Sequence, residues 1–181
     1  MLQNRIALSA TNVIIAITIV LFIIQNVLQN GDLLLGLNGY FLVYDFWWQP
    51  LSTMFAHGGI MHLVMNMFVL FQFGNMIEQF RGAKEFLLLY FIAGILTSLV
   101  SFGYIYFVEP YTNLVGASGA ICAILGYVAY YDKYQRNGIF MWVGLISFAP
   151  LLIGLPIAWY SHLIGFALGF LFGGIIKAKS N

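Results

Sequence analysis

The chain has 181 residues, of which 62% are apolar, 18% aromatic and only 7% charged, and its mean hydropathy is +0.92. A water-soluble domain carries roughly a quarter charged residues, so a surface this apolar is built for lipid rather than water. Seven Lys and Arg against six Asp and Glu leave a net charge of +1, which excludes a basic nucleic-acid surface, and the single cysteine excludes a disulfide scaffold.

A helix crossing about 30 Å of hydrocarbon needs roughly 20 mostly apolar residues. Six segments qualify, at about 10–28, 59–77, 86–107, 114–131, 139–155 and 157–176, and residues 1–181 read as a single membrane domain. Only Arg5 precedes the first segment and no small-residue cleavage site follows it, so it reads as a retained helix rather than a signal peptide. About 30 residues separate the first two spans, with Tyr40, Phe41, Tyr44, Phe46, Trp47 and Trp48 among them. Aromatics of this density favour the membrane interface, either as a partly embedded loop packed on the bundle or as a plain aromatic belt. The fourth span is short and rich in small residues, and the turn signal at Gly154 and Pro156 separates the last two. The expected fold class is all-α, a polytopic bundle of six transmembrane helices with an interfacial loop between the first two.

With the N-terminus in the cytoplasm, Arg5, Arg81, Lys84, Lys133, Arg136, Lys177 and Lys179, every base in the chain, fall on one side. The other side carries Asp32, Asp45 and Glu109. This asymmetry fits the positive-inside rule with both termini cytoplasmic, whereas an odd number of spans would scatter the bases. No repeat and no inverted pair of broken helices points to a transporter.

Polar side chains inside spans are expensive and face the bundle interior or a water-filled cavity. Span two carries His57 at its outer mouth, His62 about one and a half turns deeper, and Asn66 at i+4 from His62 on the same face. Span four opens with Gly116-Ala117-Ser118-Gly119, and span six carries His162, again near the outer end. The three spans thus hold polar groups at one shallow depth. His162, Gly165, Gly169 and Gly173 share one face of span six, and Ser118, Cys122, Gly126 and Ala129 form a comparable face of span four. Small residues at such spacing let helices approach closely, which would bring Ser118 to His162. A hydroxyl beside an imidazole is the minimum apparatus of nucleophilic catalysis. Free N–H groups at the helix start near Ser118, with the Asn66 amide and a His62 N–H, would serve a developing oxyanion. All six acids lie in loops or at span ends, so the expected unit is a Ser–His dyad, which needs neither cofactor nor metal. His57 reads as a structural tie for the loop and Cys122 as a packing residue. The competing reading is a metal site on three histidines. It is weakened by the five-residue spacing of His57 and His62 and by the absence of a His-Glu-x-x-His pattern.

These residues resemble the rhomboid family of intramembrane serine proteases, over nearly the whole chain and in its compact six-helix form. The likeness rests on His57-x-x-x-x-His62-x-x-x-Asn66, Gly74-x-x-x-Glu78-x-x-x-Gly82, Gly116-x-Ser118-Gly119 and His162-x-x-Gly165-x-x-x-Gly169. It implies Ser118 as nucleophile and His162 as general base. It also implies an oxyanion hole from His62, Asn66 and the backbone around Ala117 and Ser118, with Glu78 as a structural tie. Gly116, Gly119 and Gly165 would shape the site. The implied substrates are single-pass membrane proteins, cut within or next to their transmembrane segments. The chain departs from the family pattern at Gln49, where a Trp-Arg pair is usual, at Cys122, where many bacterial relatives carry tyrosine, and at Ser161, where alanine is common. The alternative within the family is an inactive protein that binds transmembrane clients. Small size points to a prokaryotic cell membrane, and the glycine seams suit packing within one chain or between chains equally.

Overall fold

The computed structural model describes residues 9–176, so Arg5, Lys177 and Lys179 lie outside the described residues. All regular elements within it are helical, and the only pairing of extended backbone is an isolated antiparallel bridge between Leu37 and Leu114.

Helix α1 (Ala10–Val27) starts where the Ser9 hydroxyl accepts a hydrogen bond from the Asn12 N–H at 3.1 Å. The remaining free N–H groups of its first turn meet a carboxylate from another helix. Glu78 Oε1 accepts from Ala10 N at 2.8 Å, and Glu78 Oε2 accepts from Thr11 N and Thr11 Oγ1, each at 2.9 Å. A negative charge at a helix N-terminus is favourable, so Glu78 ties α1 to its neighbour.

Three short helices follow in the loop: α2 (Gly31–Leu35), α3 (Tyr40–Val43) and α4 (Gln49–Ser52). The loop is cross-tied by polar side chains, while Leu37 and Phe41 pack in an apolar cluster with Phe102 and Ile105. Gln49 is fully buried; its Nε2 donates to Leu33 O at 2.9 Å and its Oε1 accepts from Asn38 N at 3.3 Å. Trp48 Nε1 donates to Leu34 O at 2.9 Å, and Asn38 Nδ2 donates to Asn113 Oδ1 at 2.8 Å. The glutamine that departs from the family's arginine is therefore itself the clamp of this segment.

Helix α5 (Ile60–Arg81) ends at Gly82, whose φ of +87° turns the chain directly into α6 (Ala83–Leu88). A single π turn (Leu89–Ala93) joins α6 to α7 (Gly94–Val108), and the three run on as one rod. Both helices thus extend past their expected limits, α5 beyond 77 and the α6 rod before 86, because one glycine suffices as the connection. Residues 114–117, expected as helix, lie outside it: Leu114 pairs with Leu37, Gly116 adopts φ +128°, and Ala117 forms the turn that opens the next helix. Helix α8 (Ser118–Tyr131) therefore begins at Ser118. It is buried without a break from Gly119 to Ala129, the mark of a helix apolar on every face. Helix α9 (Lys133–Leu152) starts six residues before the expected 139, since Asp132 Oδ1 accepts from Tyr134 N and Gln135 N and caps a polar first turn. Gly154, at φ +72°, reverses the chain into α10 (Trp159–Ile175).

Three of these helical rods, Ala10–Val27, Ile60–Arg81 and Ala83–Val108, are long and apolar enough to cross a membrane; Ser118–Tyr131 and Trp159–Ile175 are apolar but shorter. Helix α8 is the axis, and its tightest partner is α10. The seam is made by glycines: a Cβ at Gly169 would stand 1.8 Å from Ala123 O, and one at Gly126 would stand 2.1 Å from Phe166 O. Only hydrogen fits there, so the backbones touch.

Candidate active site

At one end of the bundle the starts of α5, α8 and α10 meet the last turns of α9. The α8–α10 seam brings His162 Nε2 to 3.0 Å from Ser118 Oγ. Gly165, one turn along α10 from His162, lies against the Gly119 carbonyl, next in chain to Ser118, so the same contact that closes the helices sets this distance. Ser118 is the first residue of α8, and the N–H groups of that turn have no acceptor within the helix. Helix α7 braces the other side, because a Cβ at Gly119 would meet Thr97 Cγ2 at 2.9 Å and Ser161 Oγ at 2.8 Å.

Helix α5 brings His62 and Asn66 to the same end of the bundle. A Cβ at Gly116 would lie 2.9 Å from His62 Nε2 and 3.6 Å from Ser118 Oγ, so His62 and Ser118 border one space left open by the missing side chain. The Gly58 N–H points to His62 Nδ1 at 3.4 Å, which leaves the ring proton on Nε2, toward that space. Asn66, one turn further along α5, is buried, and its Nδ2 donor has no partner among the described residues. A buried amide donor left free is costly unless something occupies it part of the time. Ala117, the N-cap of α8, is fully buried.

His57 sits outside this group. Its backbone N–H donates to Gln25 Oε1 and its carbonyl accepts from Gln25 Nε2, both at 2.9 Å, and its Nδ1 lies 3.1 Å from Phe55 O. This couples α1 to the chain entering α5. Burial above all, and then the neighbouring His62 ring, push the His57 imidazole down to about 4. Cys122 is fully buried against Gly165. Among the described residues no group of three His, Cys, Asp or Glu side chains is placed to hold a metal ion.

One polar neighbour was not singled out from the sequence. Ser147, fully buried on α9, has its Oγ 3.3 Å from His162 Nδ1. Its depth in span five matches that of His162, but a serine in an apolar helix usually bonds only its own backbone, so nothing marked it.

Away from these residues, a groove of about 440 Å³ runs between α5 and α9, lined by Phe68, Gln72, Leu125, Gly138 and Trp142 among others. At the opposite end of the bundle, Arg81 Nε meets Glu85 Oε1 at 2.6 Å, and the Tyr127 hydroxyl donates to the same carboxylate oxygen.

The fold and site define an all-helical membrane protein with a half-buried serine beside a buried histidine where three helices start. A sequence model of the rhomboid domain matches residues 44–179, and the chain belongs to the rhomboid family. It is an integral membrane protein. It is similar to the rhomboid protease GluP of Bacillus subtilis, 35% identical over 60% of this chain and 20% of that protein. It is also similar to rhomboid protease GlpG of Haemophilus influenzae, 31% identical over 67% of this chain and 60% of the relative. GlpG of Klebsiella pneumoniae is 27% identical over 86% of this chain and 59% of its own length. The chain thus spans less than two thirds of these relatives.

Proposed function

We propose that this protein is an intramembrane serine endopeptidase that hydrolyses peptide bonds in or beside the transmembrane segment of single-pass membrane proteins. The observation that carries the reading is the 3.0 Å approach of His162 Nε2 to Ser118 Oγ across a seam closed by glycines.

In the reaction, Ser118 Oγ attacks the scissile carbonyl carbon while His162 Nε2 takes the hydroxyl proton. The carbonyl oxygen becomes an oxyanion, held by the Ser118 backbone N–H, the His62 Nε2–H and the Asn66 amide. The tetrahedral species collapses, the C–N bond breaks, and His162 gives its proton to the leaving amine. A water then attacks the acyl-serine with His162 again as base, and the new carboxyl product leaves Ser118 restored. Ser161, His62 and Asn66 line the path by which water reaches the site.

Six helical rods cross the membrane in this reading, with Arg81, Lys84, Lys133 and Arg136 at the cytoplasmic end and the dyad toward the other. Helix α8, with 14 residues, covers about 21 Å at 1.5 Å per residue, short of the hydrocarbon thickness. A short helix is tolerated because protein surrounds it, and its start lies below the outer surface in a water-accessible recess. Helices α5 and α9 share little contact, which supports lateral approach of a substrate helix from lipid between them. Similarity to rhomboid proteases of Bacillus subtilis and Haemophilus influenzae supports a prokaryotic cell membrane.

Detergent-solubilised protein treated with a fluorophosphonate probe tests the dyad without a known substrate. Labelling of wild type that disappears in Ser118→Ala and in His162→Ala is the expected result. Equal labelling of Ser118→Ala overturns the nucleophile, and no labelling of folded wild type points to a client-binding protein without catalysis.

A further inference from the structure

We infer that Ser147, on α9, is a positioning residue that fixes the tautomer and the ring plane of His162. The inference rests on the dyad reading above and concerns how its base is held. His162 can act as base only if Nε2 is unprotonated and its lone pair faces Ser118. In neutral imidazole the proton must then sit on Nδ1, and a buried Nδ1–H needs an acceptor. No carboxylate supplies one here.

The geometry assigns that acceptor to Ser147 Oγ. Its hydroxyl proton is committed elsewhere, since Oγ lies 2.6 Å from Val143 O, one turn back on the same helix, and 3.3 Å from His162 Nδ1. The shorter contact takes the hydroxyl proton, which leaves the oxygen lone pairs for His162. The donors then run in one direction: Ser118 O–H to His162 Nε2, His162 Nδ1–H to Ser147 Oγ, and Ser147 O–H to the Val143 carbonyl. Each proton is used once and no acceptor is left facing another.

A hydroxyl that bonds back to its own helix is by itself ordinary. Thr18, Thr97 and Ser98 do the same with Ile14, Ala93 and Gly94. None of these three has a histidine nitrogen as its second contact. Ser147 is fully buried, so no water competes for the position. It also sits where support is needed, because Cys122, four residues after Ser118, offers the imidazole no ring to stack on. Among the described residues no aromatic side chain packs face or edge on His162. The ring is therefore held at its two nitrogens, by α8 on one side and α9 on the other. A neutral acceptor orients the imidazole and adds little charge stabilisation, which sets Ser147 apart from the carboxylate of a triad.

The test compares wild type with Ser147→Ala and Ser147→Thr. Cleavage of a synthetic transmembrane peptide in liposomes should show kcat about ten-fold lower in Ser147→Ala, the worth of one neutral hydrogen bond, with KM unchanged. Ser147→Thr, which keeps the acceptor, should restore kcat. In 15N-histidine spectra the resonances lost in His162→Ala should report, in wild type, a proton on Nδ1. In Ser147→Ala they should report a mixture of both tautomers. Wild-type kcat in Ser147→Ala, or a wild-type His162 protonated on Nε2, overturns the inference. The second result needs no variant that must fold. If Ser118→Ala or His162→Ala still cleaves, it is the dyad that fails; if both are inactive while Ser147→Ala is not, only the role of Ser147 fails.

Discussion

Replacing Gly165 by alanine adds one methyl group at the contact that sets the Ser118–His162 distance. Its Cβ would stand 2.1 Å from the Gly119 carbonyl oxygen and 3.0 Å from the Gly119 carbonyl carbon, about 1.3 Å inside the 3.4 Å at which ordinary van der Waals contact begins. The neighbours are backbone, so no flexible side-chain end can swing away, and α8 and α10 must part. Gly119 follows Ser118 directly and Gly165 lies one turn from His162, so the separation appears at the pair itself. An opening of about 0.5 Å already carries the 3.0 Å contact to the limit of a hydrogen bond. A misplacement of about 1 Å in a reacting pair lowers rates on the order of a hundred-fold, and overpacking of this kind destabilises by about 1–3 kcal/mol. Both are read on one sample, as the rate of fluorophosphonate labelling and the thermal unfolding midpoint in detergent. Gly144→Ala on α9 is the control: its Cβ meets nothing within 4 Å, so labelling should be unchanged and helix propensity should raise stability by up to about 1 kcal/mol. Wild-type labelling and an unchanged Tm in Gly165→Ala would refute the claim that this contact sets the site.

Asn66→Ala should lower kcat for a transmembrane peptide by about 10²–10³ with KM little changed, because its free Nδ2 is assigned to a charge present only in the transition state; a pure KM effect would instead make Asn66 a binding residue. Glu78→Gln should lower stability by about 2 kcal/mol by weakening a carboxylate that accepts three hydrogen bonds at the start of α1, and differential scanning fluorimetry would read it. Fluorophosphonate labelling at 25 °C should be unchanged in that variant, since Glu78 lies at the far end of α5 from Ser118. The folded protein holds His57 near 4 against 6.5 for an exposed imidazole, so between those values the unfolded chain binds a proton that the folded chain does not. Stability should therefore be full above about pH 6.5 and fall toward pH 4 by on the order of 3 kcal/mol. A His57→Asn variant should show a smaller fall over that range, and an identical pH profile in the variant would reject the assignment.

The apolar composition, the clustering of bases and the few polar groups inside apolar segments are properties of single residues and their spacing, so they are legible in the chain. Glycine spacing on two segments also announced the α8–α10 seam and the meeting of Ser118 with His162, because only small residues permit such an approach. Helix limits were less legible. Asp132 starts α9 early by capping a polar turn that hydropathy counts against it, and the bridge with Leu37 keeps Leu114 out of the helix through a partner nearly eighty positions away. The same holds for Gln49, a departure from the family pattern in one dimension and a buried clamp in three. Ser147 is the plainest case. No feature of its own segment separates it from other hydroxyls bonded back to their helices, and it touches His162 only because α9 returns to the end of the bundle where α10 begins. The sequence by itself determined which side chains have no business in lipid; tertiary packing decided which of them share hydrogen bonds, since that depends on helix rotation and depth, which no local pattern encodes.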